Sequence, residues 1–167
     1  PSWAAAGGST LTAAQDAVSG STVDFTGIPS GTKWIYVLFE DVSTNGVGRI
    51  YIQIGDAGGI ETSGYLGANA GILNTSSHGV TFTASFYQVD PTSAAAGHSG
   101  MAILRLQESS SNMWCCVGAC GATNTAAECN YTAGSKPLSA ELTQLRFGTS
   151  DTFDSTMAGS VSIMYGS

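Results

Sequence analysis

The cysteines are the residues of this chain whose spacing most suggests chemistry. Cys115, Cys116, Cys120 and Cys129 lie close together in the sequence. A structural zinc site usually has a C-x₂₋₄-C pair at each end, and here the second pair is missing. Adjacent residues on a strand also point to opposite faces, so Cys115 and Cys116 would not share a metal. We therefore expect no metal at this cluster.

The same cysteines suit a disulfide better. A bond between Cys120 and Cys129 would close a short loop and contribute roughly 2–3 kcal/mol by constraining the unfolded chain. Either Cys115 or Cys116 would then face the core as a small apolar side chain. Four cysteines allow several pairings, so Cys120–Cys129 is the favoured pair and the connectivity stays open.

The histidines and carboxylates give weaker signals. His98 precedes Ser99, but sequence neighbours rarely form a hydrolytic pair, and the chain has no G-x-S-x-G motif. Asp151 and Asp154 could hold a calcium ion with backbone carbonyls of their loop, although acidic pairs in loops more often cap turns. We therefore predict no catalytic residue and no cofactor, and calcium at Asp151 and Asp154 stays open.

Aromatic side chains on outward positions give the main binding signal. Tyr51 and Tyr87 fall on the polar phase of alternating strands, while Trp114 and Tyr131 flank the cysteine cluster. Such rings can stack on sugars or build subunit interfaces, and the low charge content favours an interface. Together with two residues of a Gly-rich stretch, the candidate binding residues are Tyr51, Glu61, Tyr65, Tyr87, Trp114 and Tyr131.

The composition disfavours several classes of function. Only 10% of the 167 residues are charged, well below the roughly 25% of ordinary soluble domains. The net charge is −7 and the five Lys and Arg residues are scattered, so we expect no nucleic-acid binding. No apolar run approaches the ~20 residues that span a bilayer, so we expect no membrane insertion. The chain starts at Pro1 without Met, which is typical of a processed or excised piece.

The length suits one domain with a proper core. Short apolar runs, separated by turn signals and without helical periodicity, predict an all-β chain. Residues 1–20 are expected to form a linker and an edge strand, and residues 21–167 a single antiparallel, jelly-roll-like β-sandwich domain. The predicted strands are 22–26, 33–42, 49–54, 65–73, 80–88, 101–107, 113–119, a short one near Tyr131, 138–147 and 161–165.

Three local features carry specific expectations. Residues 33–42 are apolar on both phases in the middle, which predicts a central strand covered on both sides. Asn45 and Gly46 tolerate positive φ angles, so they predict a type I′ hairpin to the next strand. In 138–147 the apolar phase shifts, which predicts a β-bulge near Thr143 and Gln144.

Several segments resemble a known family. They are VDFTGIPSGTKWI (23–35), DVSTNG (41–46), IQIGDAGGIETSGYLG (52–67), GHSGMAILRL (97–106), KPLSAELTQLRF (136–147) and DTFDSTMAGSVSIMY (151–165). The set resembles a C-terminal domain of bacteriophage tail-fibre and other virion structural proteins, and the opening PSWAAAG resembles the join that precedes it. The resemblance implies a virion surface or fibre component, commonly trimeric, whose tip contacts the host cell.

Two functional hypotheses follow. The first is a non-enzymatic virion structural protein, at a fibre tip or on the capsid surface, that forms a homotrimer through apolar interfaces and contacts other virion proteins. Adhesion to a host cell-surface glycan would use the loops 56–64, 90–98 and 120–130. The alternative is a lectin-like carbohydrate-binding module of a secreted protein. An enzyme is disfavoured, because no catalytic constellation stands out.

Overall fold

The computed structural model describes residues 8–91, 93–94, 96–124 and 128–167. Within these ranges the chain consists of strands, turns and loops, as the short alternating runs predict. No helix in the described part is long and apolar enough to cross a membrane. In chain order the strands are β1 (Thr10–Leu11), β2 (Gln15–Asp16), β3 (Thr22–Thr26), β4 (Trp34–Val42), β5 (Ile50–Asp56), β6 (Gly59–Ile60), β7 (Leu66–Leu73), β8 (Ser76–Phe82), β9 (Phe86–Val89), β10 (His98–Glu108), β11 (Met113–Ala122), β12 (Glu128–Pro137), β13 (Gln144–Thr149) and β14 (Ser160–Gly166).

The strands form two antiparallel sheets that pack face to face. Sheet 1 has the strand order β1-β14-β4-β10-β11-β12-β7-β8, and β2 also pairs with β14. Sheet 2 has the order β3-β13-β5-β6, and β9 pairs with β5 as well. The predicted single-domain β-sandwich is therefore confirmed.

The core lies between the sheets because successive side chains of a strand point to opposite faces. In β5 the inward side chains are Ile50, Ile52 and Ile54, none of them more than 1% exposed. Across the gap, Phe39 of β4 and Phe147 of β13 meet with ring centroids 5.3 Å apart. Burial of such apolar surface is the main favourable term in folding, so these residues fix which way each strand faces.

The predicted hairpin at Asn45 and Gly46 is wrong. β4 belongs to sheet 1 and β5 to sheet 2, so the segment between them crosses from one sheet to the other. Neither residue has a positive φ angle, whereas Asp41 in β4 has a φ of 48°. The crossing segment is fixed instead by an antiparallel bridge between Thr44 and Phe153.

Other predicted strands have different bounds. Residues 80–88 divide between β8 and β9, which lie in different sheets. The strand predicted for 138–147 begins only at Gln144, so the shift of apolar phase marks a loop before β13 and not a β-bulge. The short strand predicted near Tyr131 is the 10-residue β12.

The central strand β4 is covered on one side only by the described chain. Its inward residues Ile35, Val37 and Phe39 are buried against sheet 2, whereas Tyr36 and Leu38 on the other side are partly exposed. Sheet 2 therefore covers one side, and the expected cover of the other side by a partner subunit stays a prediction.

Candidate functional site

Two of the six candidate binding residues lie inside the sandwich. Tyr65 has no exposed surface, and Trp114 is 2% exposed. Trp114 falls on the inward phase of β11 with Cys116, and Tyr65 packs edge-to-face on Phe86 with ring centroids 4.9 Å apart. A ligand in solution reaches neither ring, so both predicted binding roles are wrong.

The hydroxyl of Tyr65 has a structural task. It accepts the backbone N–H of Ile54 at 2.9 Å, and it lies 2.9 Å from the carbonyl oxygen of Glu61 and 3.2 Å from that of Ile54. Ile54 lies beyond the residues of β5 that pair with β9 and before those that pair with β6. The phenol therefore gives the buried Ile54 N–H a partner, whereas the Ile54 carbonyl also accepts the Glu61 N–H at 3.1 Å. Burial raises the pKa of Tyr65 and keeps it protonated.

The candidate residue Glu61 clamps the Gly-rich segment after β5. Its Oε2 accepts a hydrogen bond from Lys136 Nζ, and its Oε1 accepts the backbone N–H of Ser139 at 2.8 Å. Lys136 is 3% exposed and also lies over the Tyr65 ring, 5.5 Å from its centroid. Burial alone would raise the pKa of Glu61, but the bonds from Lys136 and Ser139 hold it below its usual value. Both carboxylate oxygens are engaged within the fold, so the predicted binding role of Glu61 is not supported.

Asp56 fixes the start of the same segment. Its carboxylate accepts hydrogen bonds from Ser139 Oγ at 2.5 Å and from the Gly58 backbone N–H at 2.7 Å. These bonds lower the pKa of Asp56. The predicted binding loop 56–64 is therefore tied to the fold through its acidic side chains. Of the other predicted loops, 120–130 is strand at both ends, and its residues 125–127 lie outside the described chain, as do 92 and 95 of the loop 90–98.

The predicted disulfide between Cys120 and Cys129 is wrong, and all four cysteines are free. In the β11–β12 register, Cys120 is opposite Asn130 and Cys129 is opposite Gly121. Cys120 consequently points into the sandwich, while Cys129 falls on the outward phase of β12. Side chains on opposite faces of a sheet cannot be bridged without moving the backbone. Burial raises the pKa of Cys116 and of Cys120 to about 12, so both thiols stay protonated and unreactive.

His98 and Ser99 point to opposite sides of β10. His98 has no exposed surface, and its Nε2 lies 3.6 Å from Oε1 of the buried Glu128. Burial lowers the pKa of His98, although the nearby Glu128 acts in the opposite direction. The Ser99 hydroxyl accepts the backbone N–H of Asp41 at 2.9 Å. The geometry therefore provides no Ser-His pair at this position.

Asp151 and Asp154 serve two separate turns. Asp151 accepts the backbone N–H of Gly48 at 2.7 Å. Asp154 accepts hydrogen bonds from the Ser43 hydroxyl at 2.6 Å and from the Thr156 N–H at 2.9 Å. In the described part of the chain no group of three or more His, Cys, Asp or Glu residues could hold a metal ion. The turn-capping interpretation fits these contacts better than the calcium interpretation.

The outer side of sheet 1 carries a continuous apolar surface, which we call the apolar face. It is built by alternate residues of the five adjacent strands β4, β10, β11, β12 and β7. The strand register aligns them in rows across the sheet. The two central rows are Leu38, Met101, Ala119, Tyr131, Ala70 and Tyr36, Ile103, Val117, Ala133, Ala68.

The apolar face is large and uncharged at its centre. Five strands about 4.8 Å apart and two rows of outward residues give a flat area on the order of 300 Å², within the range of the largest apolar patches on monomers. Val117 is 51% exposed and Tyr131 57% exposed. The charged residues Glu40 and Arg105 lie beside the central rows, one row out on either side. The candidate Tyr131 thus belongs to an extended surface and not to a loop.

Most residues of the apolar face were not predicted as site residues. A usable signal exists in the sequence, because Met101 and Ile103 are apolar on one phase of β10 while Ala102 and Leu104 are apolar on the other. A strand that is apolar on both phases needs cover on both sides. The strands that share this pattern are neighbours only in the folded sheet.

The outer side of sheet 2 is different, with aromatic and paired charged side chains. Tyr51 of β5 and Tyr87 of β9 are opposite each other in the register, so the fold brings these two candidates together. Arg49 lies over the Tyr87 ring, 5.2 Å from its centroid. Arg146 and Asp24 form an ion pair on the neighbouring strands. This surface can bind through ring stacking and hydrogen bonds.

Comparisons with known proteins do not identify the chain. No family model matches it, and no curated protein matches it. The resemblance to bacteriophage virion domains therefore rests on the sequence segments alone.

Proposed function

We propose that this chain is a non-enzymatic structural domain of a bacteriophage virion that assembles as a homotrimer through its apolar face. It would sit at a fibre tip or on the capsid surface, in contact with other virion proteins. The resemblance of six sequence segments to such domains supports the virion setting. The single observation that carries the assembly is the apolar face itself, because a monomer would leave it in water.

The apolar face has the composition of an interface core. Such cores are depleted of charged residues and enriched in aromatic residues and methionine. The central rows follow this rule, with Tyr36, Tyr131 and Met101 among aliphatic residues and no charge. The two rows supply on the order of 300 Å² per chain, so flanking residues on the same side of sheet 1 would have to supply the rest of the ~800 Å² per partner of stable interfaces.

The assembly is tested by measuring particle mass in solution, by light scattering and native mass spectrometry. The expected particle contains three chains of 17.0 kDa. In Val117→Lys the lysine can reach water in a lone chain, but at an interface it would be buried without a partner. That costs about 3–5 kcal/mol, which weakens association at least ~100-fold.

The matched control is Thr26→Lys, which adds the same charge at an exposed position of β3, on sheet 2. This variant should assemble like the unmodified chain. A strict monomer at about 100 µM, or a Val117→Lys variant that assembles normally, would contradict the proposal.

The second candidate function is a lectin-like carbohydrate-binding module of a secreted protein. The observation that favours it is the partly exposed Tyr51 ring on the outer side of sheet 2, beside the Asp24–Arg146 ion pair. Adhesion to a host cell-surface glycan would use the same surface in a virion protein. A monomer that binds glycans would favour this second candidate over the trimeric virion domain.

A further inference from the structure

The outer side of sheet 2 contains an aromatic ring that lies over backbone. Tyr51 on β5 is opposite Gly148 on β13. A Cβ placed on Gly148 would lie 2.8 Å from Cε2 and Cζ of the Tyr51 ring and 2.9 Å from its hydroxyl oxygen. The ring therefore reaches across β13 in space that only glycine leaves free. Its remaining surface faces outward, since Tyr51 is only partly buried.

A bidentate ion pair adjoins this ring. Nε and Nη2 of Arg146 each lie 2.7 Å from an oxygen of the Asp24 carboxylate. Both charges act on the Tyr51 phenol: burial raises its pKa most, Arg146 lowers it and Asp24 raises it. Arg146 keeps further N–H donors, and the Asp24 carboxylate keeps further acceptor positions. The ion pair thus offers donors and acceptors side by side, next to an apolar ring.

From this juxtaposition we propose that Tyr51, Asp24 and Arg146 form a binding site for a neutral saccharide. The Tyr51 ring stacks on the C–H face of a sugar ring, and the Asp24–Arg146 pair exchanges hydrogen bonds with neighbouring hydroxyl groups. A tyrosine ring offers an apolar face and one solvated hydroxyl group. This suits a sugar, which has an apolar C–H face surrounded by hydroxyl groups. Asp24 also borders a groove of about 340 Å³ between the edges of the two sheets, which gives room for further sugar units.

The charges of this surface favour a neutral ligand over an acidic one. Arg146 is paired with Asp24, and Arg49 is paired with Asp90 at 2.7 Å. An acidic sugar would meet no unpaired cation among these residues, and it would have to displace a carboxylate from a bidentate contact. Tyr87 does not provide the stacking surface, because Arg49 already lies over its ring.

The site lies on the opposite side of the sandwich from the apolar face. Assembly through sheet 1 would therefore leave the site of every chain exposed, and several weak sites on one particle would bind a repetitive glycan more tightly than one. The saccharide site would serve the adhesion role of the proposed function. Only the multivalent binding rests on the proposed assembly. The site itself needs a single chain.

The test is saturation-transfer NMR on the full chain with cellotetraose, maltotetraose and methyl α-mannoside as neutral probes, and with trigalacturonic acid as the acidic probe. At least one neutral probe should bind with a Kd on the order of 1 mM. Tyr51→Ala should weaken this binding at least ~10-fold, whereas Tyr51→Phe, which keeps the ring over Gly148, should stay within about 3-fold. Arg146→Met should weaken binding while leaving the ring in place. Tyr131→Ala, an exposed aromatic on the apolar face, is the matched control and should bind normally.

Three results would overturn the site: no binding of any neutral probe at about 10 mM, preference for the acidic probe, or unchanged binding by Tyr51→Ala. The Tyr51→Phe variant separates loss of the ring from a general folding defect. The assembly proposal is tested independently, since Val117→Lys should bind the same probe as a monomer and Tyr51→Ala should still assemble. Failure of one measurement therefore leaves the other intact.

Discussion

Removal of one oxygen atom, in Tyr65→Phe, tests whether Tyr65 is a structural residue. Phenylalanine keeps the edge-to-face contact with Phe86 and the position of Lys136 over the ring. What is lost is the acceptor for the Ile54 N–H and the donor for the Glu61 carbonyl oxygen. Because the Ile54 N–H is buried, the loss should cost about 1–3 kcal/mol. For a chain of this length, about 2 kcal/mol lowers the melting temperature by roughly 4–8 °C.

The measurement is differential scanning calorimetry with urea unfolding, and the matched control is Tyr131→Phe. Tyr131 is 57% exposed, so its hydroxyl is solvated in the lone chain and the same chemical change should cost less than about 0.5 kcal/mol. Equal melting temperatures for the two variants would refute the assignment of the Tyr65 hydroxyl to the β5 backbone. If Tyr65→Phe lost saccharide binding without losing stability, Tyr65 would be a binding residue and not a structural one.

Two further predictions concern titration and thiol reactivity. Burial lowers the pKa of His98 below its ordinary 6.5, so the unfolded chain takes up the proton first. Stability should therefore be full above pH 6.5 and fall as the pH drops toward the folded-state pKa. Calorimetry from about pH 7.5 to 5.5 should show the melting temperature of the unmodified chain falling with pH, and the His98→Gln variant should lack this dependence. A melting temperature of the unmodified chain that does not change over this range would contradict the prediction. In native buffer at pH 8, Ellman's reagent should react with the partly exposed Cys115 and Cys129 and not with the buried Cys116 and Cys120. In denaturant without reductant, all four thiols should react. If only two react in denaturant, the other two form a disulfide.

Much of the local structure follows from the sequence. The alternation of Ile50, Ile52 and Ile54 predicts both the strand and its inward phase, and all three side chains are buried. The same holds for β3 and β14, whose bounds match the predicted strands to within a residue. Alternation works because the pleat places every second side chain on one face, which is a property of consecutive residues alone.

The pairing of strands depends on residues far apart in the chain. Asn45-Gly46 has the composition of a hairpin turn, yet it connects strands of different sheets because β4 pairs with β14 and β10 while β5 pairs with β13. Turn propensity contributes less than the burial of two apolar strand faces, so long-range packing decides. For the same reason the run 80–88 divides between two sheets, although its alternation continues without a break.

The candidate sites show the same division between local and long-range information. The sequence singles out Tyr51, Tyr87 and Tyr131 as outward residues; Tyr51 and Tyr131 keep exposed surface, whereas Tyr87 is half-buried and packs against the core. It does not show that Tyr65 and Trp114 are buried, since their covering residues come from other strands.

The sequence alone therefore determines an all-β chain with few charges and outward aromatic residues. The tertiary structure decides the rest, because sheet order and register bring distant residues together. It places Lys136 against Glu61, turns Cys120 and Cys129 to opposite faces, and sets Gly148 under Tyr51. It also joins alternate residues of five strands into one apolar face, which no single strand predicts.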